Sequence, residues 1–298
     1  MPSTSRTLQP IDSLRTAPLA QLNAFRASHP FKSIVLGGAR WEYIACGTGR
    51  ETLLLLPGAP GRGETAFQHI LAFERHYRVI SPSYPAEPIT VGEMLAALVG
   101  IMSAEGIEQV HVVGGSYSGL IAQALVRAYA DRVASLVLTD TGVPSRARAG
   151  KYTGYLTILE ALPLFAIRAL WRMGARLYLR EIRQDRRFWR AYFRELIASI
   201  SKEECVGRLK VWIDFDRNSS FSPSDLSKWP GKILILEAEH DTTFGPEERA
   251  ALRRLYPQAQ TRVFTAGGHA ASLTRRGEYI EAIAAFLQGA VAQIEAAS

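Results

Sequence analysis

The sequence predicts an α/β architecture: a parallel sheet covered by helices on both faces and interrupted by one long helical insertion. Three observations carry this. Short, continuously apolar runs recur along the chain, separated by segments with helical spacing, the pattern of strands buried on both faces. The alternation stops over residues 143 to about 229 and resumes at Gly231. Between one such strand and the following helix lies a turn of small residues, Gly114-Gly115-Ser116-Tyr117-Ser118-Gly119.

Taken in order, residues 1–30 read as a loosely attached leader ending in a short amphipathic stretch around Leu22 and Phe25. Residues 33–36 and 41–45 read as a strand pair turned at Gly37-Gly38. Strands follow at 52–56, 77–80, 110–113 and 134–138, with helices at 91–104 and 120–130 between them. The insertion shows helical patterns at 157–173, 186–200 and 202–215. Beyond it come a strand at 232–236, a helix at 246–255, a strand at 261–264 and a final helix from about Glu278. The expected organisation is therefore a leader (1–30), a core in two pieces (31–142 and 231–298) and a helical lid (143–230). A connection that long should form a subdomain of its own.

Composition excludes several classes. At 298 residues, 47% hydrophobic and 21% charged, the chain is neither disordered nor fibrous and can bury a large core. Its first twenty residues lack the apolar stretch of a secretory signal, and the apolar run 155–171 contains Glu160, Pro163 and Arg168. A cytoplasmic protein is the expectation. Cys46 and Cys205 have no metal-type spacing and read as buried or idle thiols. The net charge of +7 is concentrated: residues 143–230 hold 17 of 35 basic and 9 of 28 acidic residues, +8 in that segment against −1 elsewhere. No nucleic-acid motif accompanies it, so a basic amphipathic lid is the simpler account. Contact between that lid and an anionic membrane surface or an acidic partner is a weaker reading.

The chemistry concentrates at three residues. Ser116 sits between strand and helix with small residues two before and two after it, as a strained nucleophile elbow requires. A serine hydroxyl needs a neighbouring base. His269 lies last in chain order, in the glycine-rich loop Ala266-Gly267-Gly268-His269. Asp241 follows the strand at 232–236 and is placed to orient the imidazole, completing the order Ser…Asp…His. Glu239 and Asp140 compete for the acid's role, and a loop Asp is also a common Asx-turn. His29, His69, His76 and His111 are assigned structural or solvated roles. An oxyanion needs two N–H donors; Tyr117, directly after the nucleophile, and Ala59, in Pro57-Gly58-Ala59-Pro60-Gly61, are the candidates.

With these residues in place, the chain resembles the α/β-hydrolase superfamily over nearly all of residues 31–298. The matching pieces are Leu56-Pro57-Gly58, Tyr77-Arg78-Val79-Ile80, the elbow, Asp241 and Gly268-His269. Among its branches it most resembles the maspardin-like proteins, through Phe25-Arg26 with Pro30 and Lys32, Tyr84-Pro85, and Leu255-Tyr256-Pro257. The resemblance implies an eight-stranded, mostly parallel sheet, a lid after the sixth strand and no cofactor. Pro57 stands where the family commonly has His, and Ser118 where the elbow has its second glycine.

The expected reaction is hydrolysis of a carboxylic ester through an acyl-enzyme, carboxylesterase-like, on a small-molecule substrate. Insertion aromatics such as Trp171, Tyr178, Trp189, Tyr192 and Phe193 would form an apolar or aromatic pocket. The same three residues could instead cleave a C–C, amide or lactone bond. A non-catalytic, maspardin-like binding protein is the third reading.

Overall fold

Residues 52–56 read Thr-Leu-Leu-Leu-Leu, and every one is buried. Such a strand has a place only in the middle of a sheet with both faces covered. In the computed structural model, which describes residues 17–297 with side chains through 289, it is β3 (Thr52–Leu56). It joins β1 (Lys32–Leu36), β2 (Ala39–Cys46), β4 (Arg78–Ser83), β5 (Val110–Gly115), β6 (Val133–Thr139), β7 (Lys232–Ala238) and β8 (Gln260–Phe264). The sheet order is β1-β2-β4-β3-β5-β6-β7-β8. β2 runs antiparallel to β1 and β4, and every other pairing is parallel.

Period-two alternation divides the strand side chains between two cores. Leu54, Leu56, Val112, Leu136 and Ile235 face one side. There α3 (Val91–Ala104), α4 (Tyr117–Ala128) and α9 (Pro246–Leu255) cover them. Leu53, Leu55, Val113, Val137 and Leu236 face the other side, under α2 (Phe67–Phe73) and the last helix, α10 (Arg276–Ala297). α3 begins at a capping box in which Thr90 and Glu93 satisfy each other's backbone N–H.

The leader departs from its expected looseness. Residues 1–16 lie outside the described residues, but α1 (Pro18–Ser28) buries Leu22 and Phe25 in the second core, where Phe25 meets Phe67.

Between β6 and β7 the chain forms α5 (Arg146–Ala161), α6 (Leu164–Tyr178), α7 (Arg186–Ser199) and α8 (Lys202–Asn218). The single helix expected over 157–173 is two helices. Leu162 is extended at φ −74°, ψ 141° and Pro163 precedes the first residue of α6. A residue before proline is driven out of the helical region, and proline has no N–H to continue the ladder. Arg148 on α5 ties this insertion to the core. It donates to both oxygens of fully buried Asp216 on α8, at 2.8 and 2.7 Å, and to Glu248 on α9 at 2.7 Å. No helix among the described residues is long and apolar enough to cross a membrane.

Candidate active site

β5 runs to Gly115 and α4 begins at Tyr117, so Ser116 alone makes the turn, at φ 53°, ψ −122°. A non-glycine residue adopts that backbone only when its surroundings hold it there. Here they do. The Ser116 N–H donates to Thr139 O at 2.9 Å, and its carbonyl accepts from Thr141 Oγ1 at 2.8 Å and from the Gly119 N–H at 3.1 Å. The small flanking residues are a steric necessity: a Cβ on Gly114 would lie 2.5 Å from Ser118 O, and one on Gly119 would lie 2.5 Å from Thr141 Oγ1.

Ser118 does more than replace a glycine. Its buried hydroxyl accepts from the Gly115 N–H at 3.0 Å and reaches Leu56 O at 3.0 Å and Gly115 O at 2.9 Å. It thereby links the elbow to the end of β3, where the Pro57–Gly61 loop starts. That link joins residues 62 positions apart in the chain and had no signal in the sequence.

After β8, Gly267 (φ 113°) and Gly268 (φ 49°) both take left-handed backbone and deliver His269 over the sheet edge. His269 Nε2 lies 2.9 Å from Ser116 Oγ and Nδ1 lies 2.9 Å from Asp241 Oδ2. A carboxylate only accepts, so the Nδ1–H donates to it and Nε2 is left to accept the serine proton. The ring is flanked by Tyr178 of α6 and Phe244, centroids 6.3 and 5.8 Å away.

Asp241 is buried just past β7 and is also an Asx-turn: Oδ1 accepts from the Thr243 N–H at 2.7 Å and the Phe244 N–H at 3.1 Å. One carboxylate oxygen thus holds the loop and the other holds the imidazole. Glu239 is exposed at the surface. Asp140 is buried beside the site at a left-handed φ of 42°, with Oδ1 accepting from the Ala238 N–H at 2.9 Å. Burial pushes its carboxyl up to about 7, against the pull of nearby His269. The structure joins Asp241, not Asp140, to the imidazole.

Ala59 and Ser116 line one cavity of about 340 Å³. The Gly61 N–H closes a turn onto Gly58 O at 2.8 Å, and among the described residues no carbonyl accepts from the Ala59 N–H. Tyr117 is the first residue of α4, so its N–H has no partner in the helix ladder. The positive end of that helix lies at the serine.

The remaining cavity wall is mostly apolar. Trp171 and Tyr178 come from α6, and Trp189, Tyr192 and Phe193 from α7. Trp212, by contrast, packs behind Tyr117 and Phe244. His69 lies in α2 near its amino-terminal end and lines the cavity; burial pushes its imidazole down to about 4, so it is neutral at physiological pH. His111 is buried in β5 against Ser135, as expected.

Both cysteines are free. At the opposite end of the sheet, His29, Cys46 and Glu74 hold their ligand-type atoms within 4.8 Å of one another, with His29 Nε2 bonded to Glu74 Oε2 at 2.7 Å.

The glycine pair yields a prediction. A Cβ on Gly267 would meet Thr274 Oγ1 at 2.5 Å and the Ala271 Cα at 3.2 Å, at a φ of 113° that L side chains rarely adopt. Gly267→Ala should therefore shift His269, and a misplacement of about 1 Å costs on the order of 10²-fold in rate. Steady-state kinetics would check this, with thermal melting to confirm the fold; an unchanged rate would contradict it.

A sequence model of the Alpha/beta hydrolase family matches residues 53–282. Among curated proteins, the chain is 24% identical over 264 residues to a putative carbamate hydrolase, RutD, of Caulobacter segnis, covering 81% of this chain and 93% of that one. It is 34% identical over 137 residues to a 2-hydroxy-6-oxononadienedioate/2-hydroxy-6-oxononatrienedioate hydrolase of Paraburkholderia phymatum, covering 40% of this chain and 48% of that one. Among solved structures, the enol-lactonase of Burkholderia xenovorans superposes with a TM-score of 0.71 at 16% identity, covering 86% of this chain and 100% of that one.

Proposed function

The chain belongs to the Alpha/beta hydrolase family, and from that premise we propose that it is a serine hydrolase cleaving carboxylic esters of small or medium apolar or aromatic substrates. The observation that carries the reading is the position of His269, 2.9 Å from Ser116 on one side and 2.9 Å from Asp241 on the other. Ser116 Oγ attacks the ester carbonyl while His269 Nε2 takes its proton. The N–H groups of Ala59 and Tyr117 hold the oxyanion. Collapse expels the alcohol, which takes the proton back from His269 and leaves an acyl-Ser116. A water activated by the same imidazole then releases the acid. Asp241 fixes the imidazole tautomer throughout. α5–α8 act as the lid, and the aromatic wall supplied by α6 and α7 favours an apolar acyl or aryl group.

A fluorophosphonate probe tests this directly. Ser116 should be labelled, as located by peptide mass spectrometry, and the protein should turn over p-nitrophenyl butyrate. A folded protein that neither labels nor turns over would favour instead the binding role suggested by the short maspardin-like matches. The alternative is that the same residues cleave another bond: the names of two relatives point to a carbamate or a lactone, and a C–C bond is chemically open to the same triad. Labelling of Ser116 together with inertness toward a panel of esters would select that alternative.

A further inference from the structure

The outer surface of α6 carries a row of exposed apolar side chains beside a row of arginines. Leu170, Met173 and Leu177 recur at i, i+3 and i+7, so they form one stripe along the helix. They are 50, 57 and 52% exposed, and Phe165 near the start of α6 is 74% exposed. Arg168, Arg172 and Arg176 recur at i, i+4 and i+8 and form a second stripe beside the first. Arg168 is held to Ile200 O, whereas Arg172 and Arg176 are exposed and make no ion pair among the described residues. No acidic residue occurs between Leu164 and Tyr178. Large exposed side chains in such a row need an occupant.

Charge complementarity identifies it. An apolar stripe flanked by arginines, on the segment that holds the chain's whole basic excess, matches a layer of acyl chains beneath anionic headgroups. A second copy of the chain presenting the same helix would bring no carboxylate to the arginines. The third side of α6 explains what contact would accomplish. Trp171, Gly174, Ala175 and Tyr178 line the cavity over Ser116, and they neighbour Leu170 and Leu177 around the helix. An apolar surface therefore continues from the outside of α6 to the cavity wall.

We propose that α6 docks this protein on an anionic lipid bilayer, with Leu170, Met173 and Leu177 among the acyl chains and Arg172 and Arg176 at the headgroups. The consequence for catalysis, that amphiphilic esters enter from the bilayer, rests on the ester-hydrolase reading; the docking itself does not.

The test is co-sedimentation of the full chain with vesicles of phosphatidylcholine containing about a third phosphatidylglycerol, and with vesicles of phosphatidylcholine alone. Wild type should bind the anionic vesicles, and high salt should weaken that binding. Met173→Glu/Leu177→Glu and Arg172→Glu/Arg176→Glu should each lower the bound fraction at least ~10-fold. These four residues do not line the cavity, so turnover of the soluble p-nitrophenyl ester should be unchanged, and melting temperatures would confirm that each variant folds. Absence of vesicle binding, equal binding to neutral vesicles, or full binding by both double variants would overturn the proposal. So would a concentration-dependent dimer abolished by Met173→Glu/Leu177→Glu without vesicle binding, which would assign the face to a second copy. Vesicle binding by a protein inert toward the soluble ester would leave docking standing and overturn the ester-hydrolase reading alone.

Discussion

Ser116→Ala should lower ester turnover on the order of 10⁵-fold, His269→Ala by a similar factor, and the double variant by no more than either alone. The non-additivity follows from the geometry. The Ser116 hydroxyl and His269 Nε2 share one proton across 2.9 Å, so either loss removes the same activated nucleophile. The residual rate should reflect the Ala59 and Tyr117 N–H donors acting on a water-borne reaction. Asp241→Asn should cost about 10⁴-fold without unfolding the protein. An asparagine oxygen can still accept from the Thr243 and Phe244 N–H groups. Its NH₂, however, would donate to Nδ1 and force the imidazole proton onto Nε2, facing the serine. Single-turnover rates and kcat/KM on one chromogenic ester would measure all four variants. Multiplicative losses in the double variant would show that Ser116 and His269 do not act as one unit.

The parts of this site that could be read in advance are those whose signal is local. Ser116 was visible because the elbow needs small residues within two positions of it, and the clash a Cβ would make at Gly114 is that requirement in atomic form. Asp241 and His269 are legible because each lies in the loop that follows a strand. The choice between Asp241 and Asp140 could not be settled locally. It depends on which carboxylate meets an imidazole carried by a loop more than a hundred residues after Asp140, and only the assembled sheet edge decides it. The missed helix break had a local signal that was outweighed. Pro163 is the local signal of the break, but the apolar residues of 157–173 continue on both sides of it, and that run outweighs a single proline when spacing alone is read.

Asp140→Asn should stabilise the protein, and the gain should grow with pH. In the folded protein burial pushes the Asp140 carboxyl from 3.8 up to about 7. A carboxyl raised on folding contributes its full stability only below its unfolded value, and that contribution is lost as pH rises through the folded value. Each pH unit in this window costs about 1.4 kcal/mol. Between pH 5 and pH 8 the wild type should therefore lose about 3 kcal/mol at this position, most of it by pH 7. Asparagine keeps an oxygen to accept the Ala238 N–H at 2.9 Å and carries no charge to desolvate. The left-handed backbone at this position, φ 42°, suits asparagine at least as well as aspartate. Urea unfolding of wild type and Asp140→Asn at pH 5, 7 and 8 would measure the difference, which should be smallest at pH 5 and level off above 7. A difference independent of pH would mean that Asp140 is ionised throughout. Wild type would then hold two buried carboxylates around one imidazole, each bonded to its own loop. The geometry argues against that arrangement: Asp241 accepts two N–H groups as well as the imidazole, while the structure gives Asp140 one N–H. Of two adjacent carboxyls, the one with fewer donors is the one that keeps its proton.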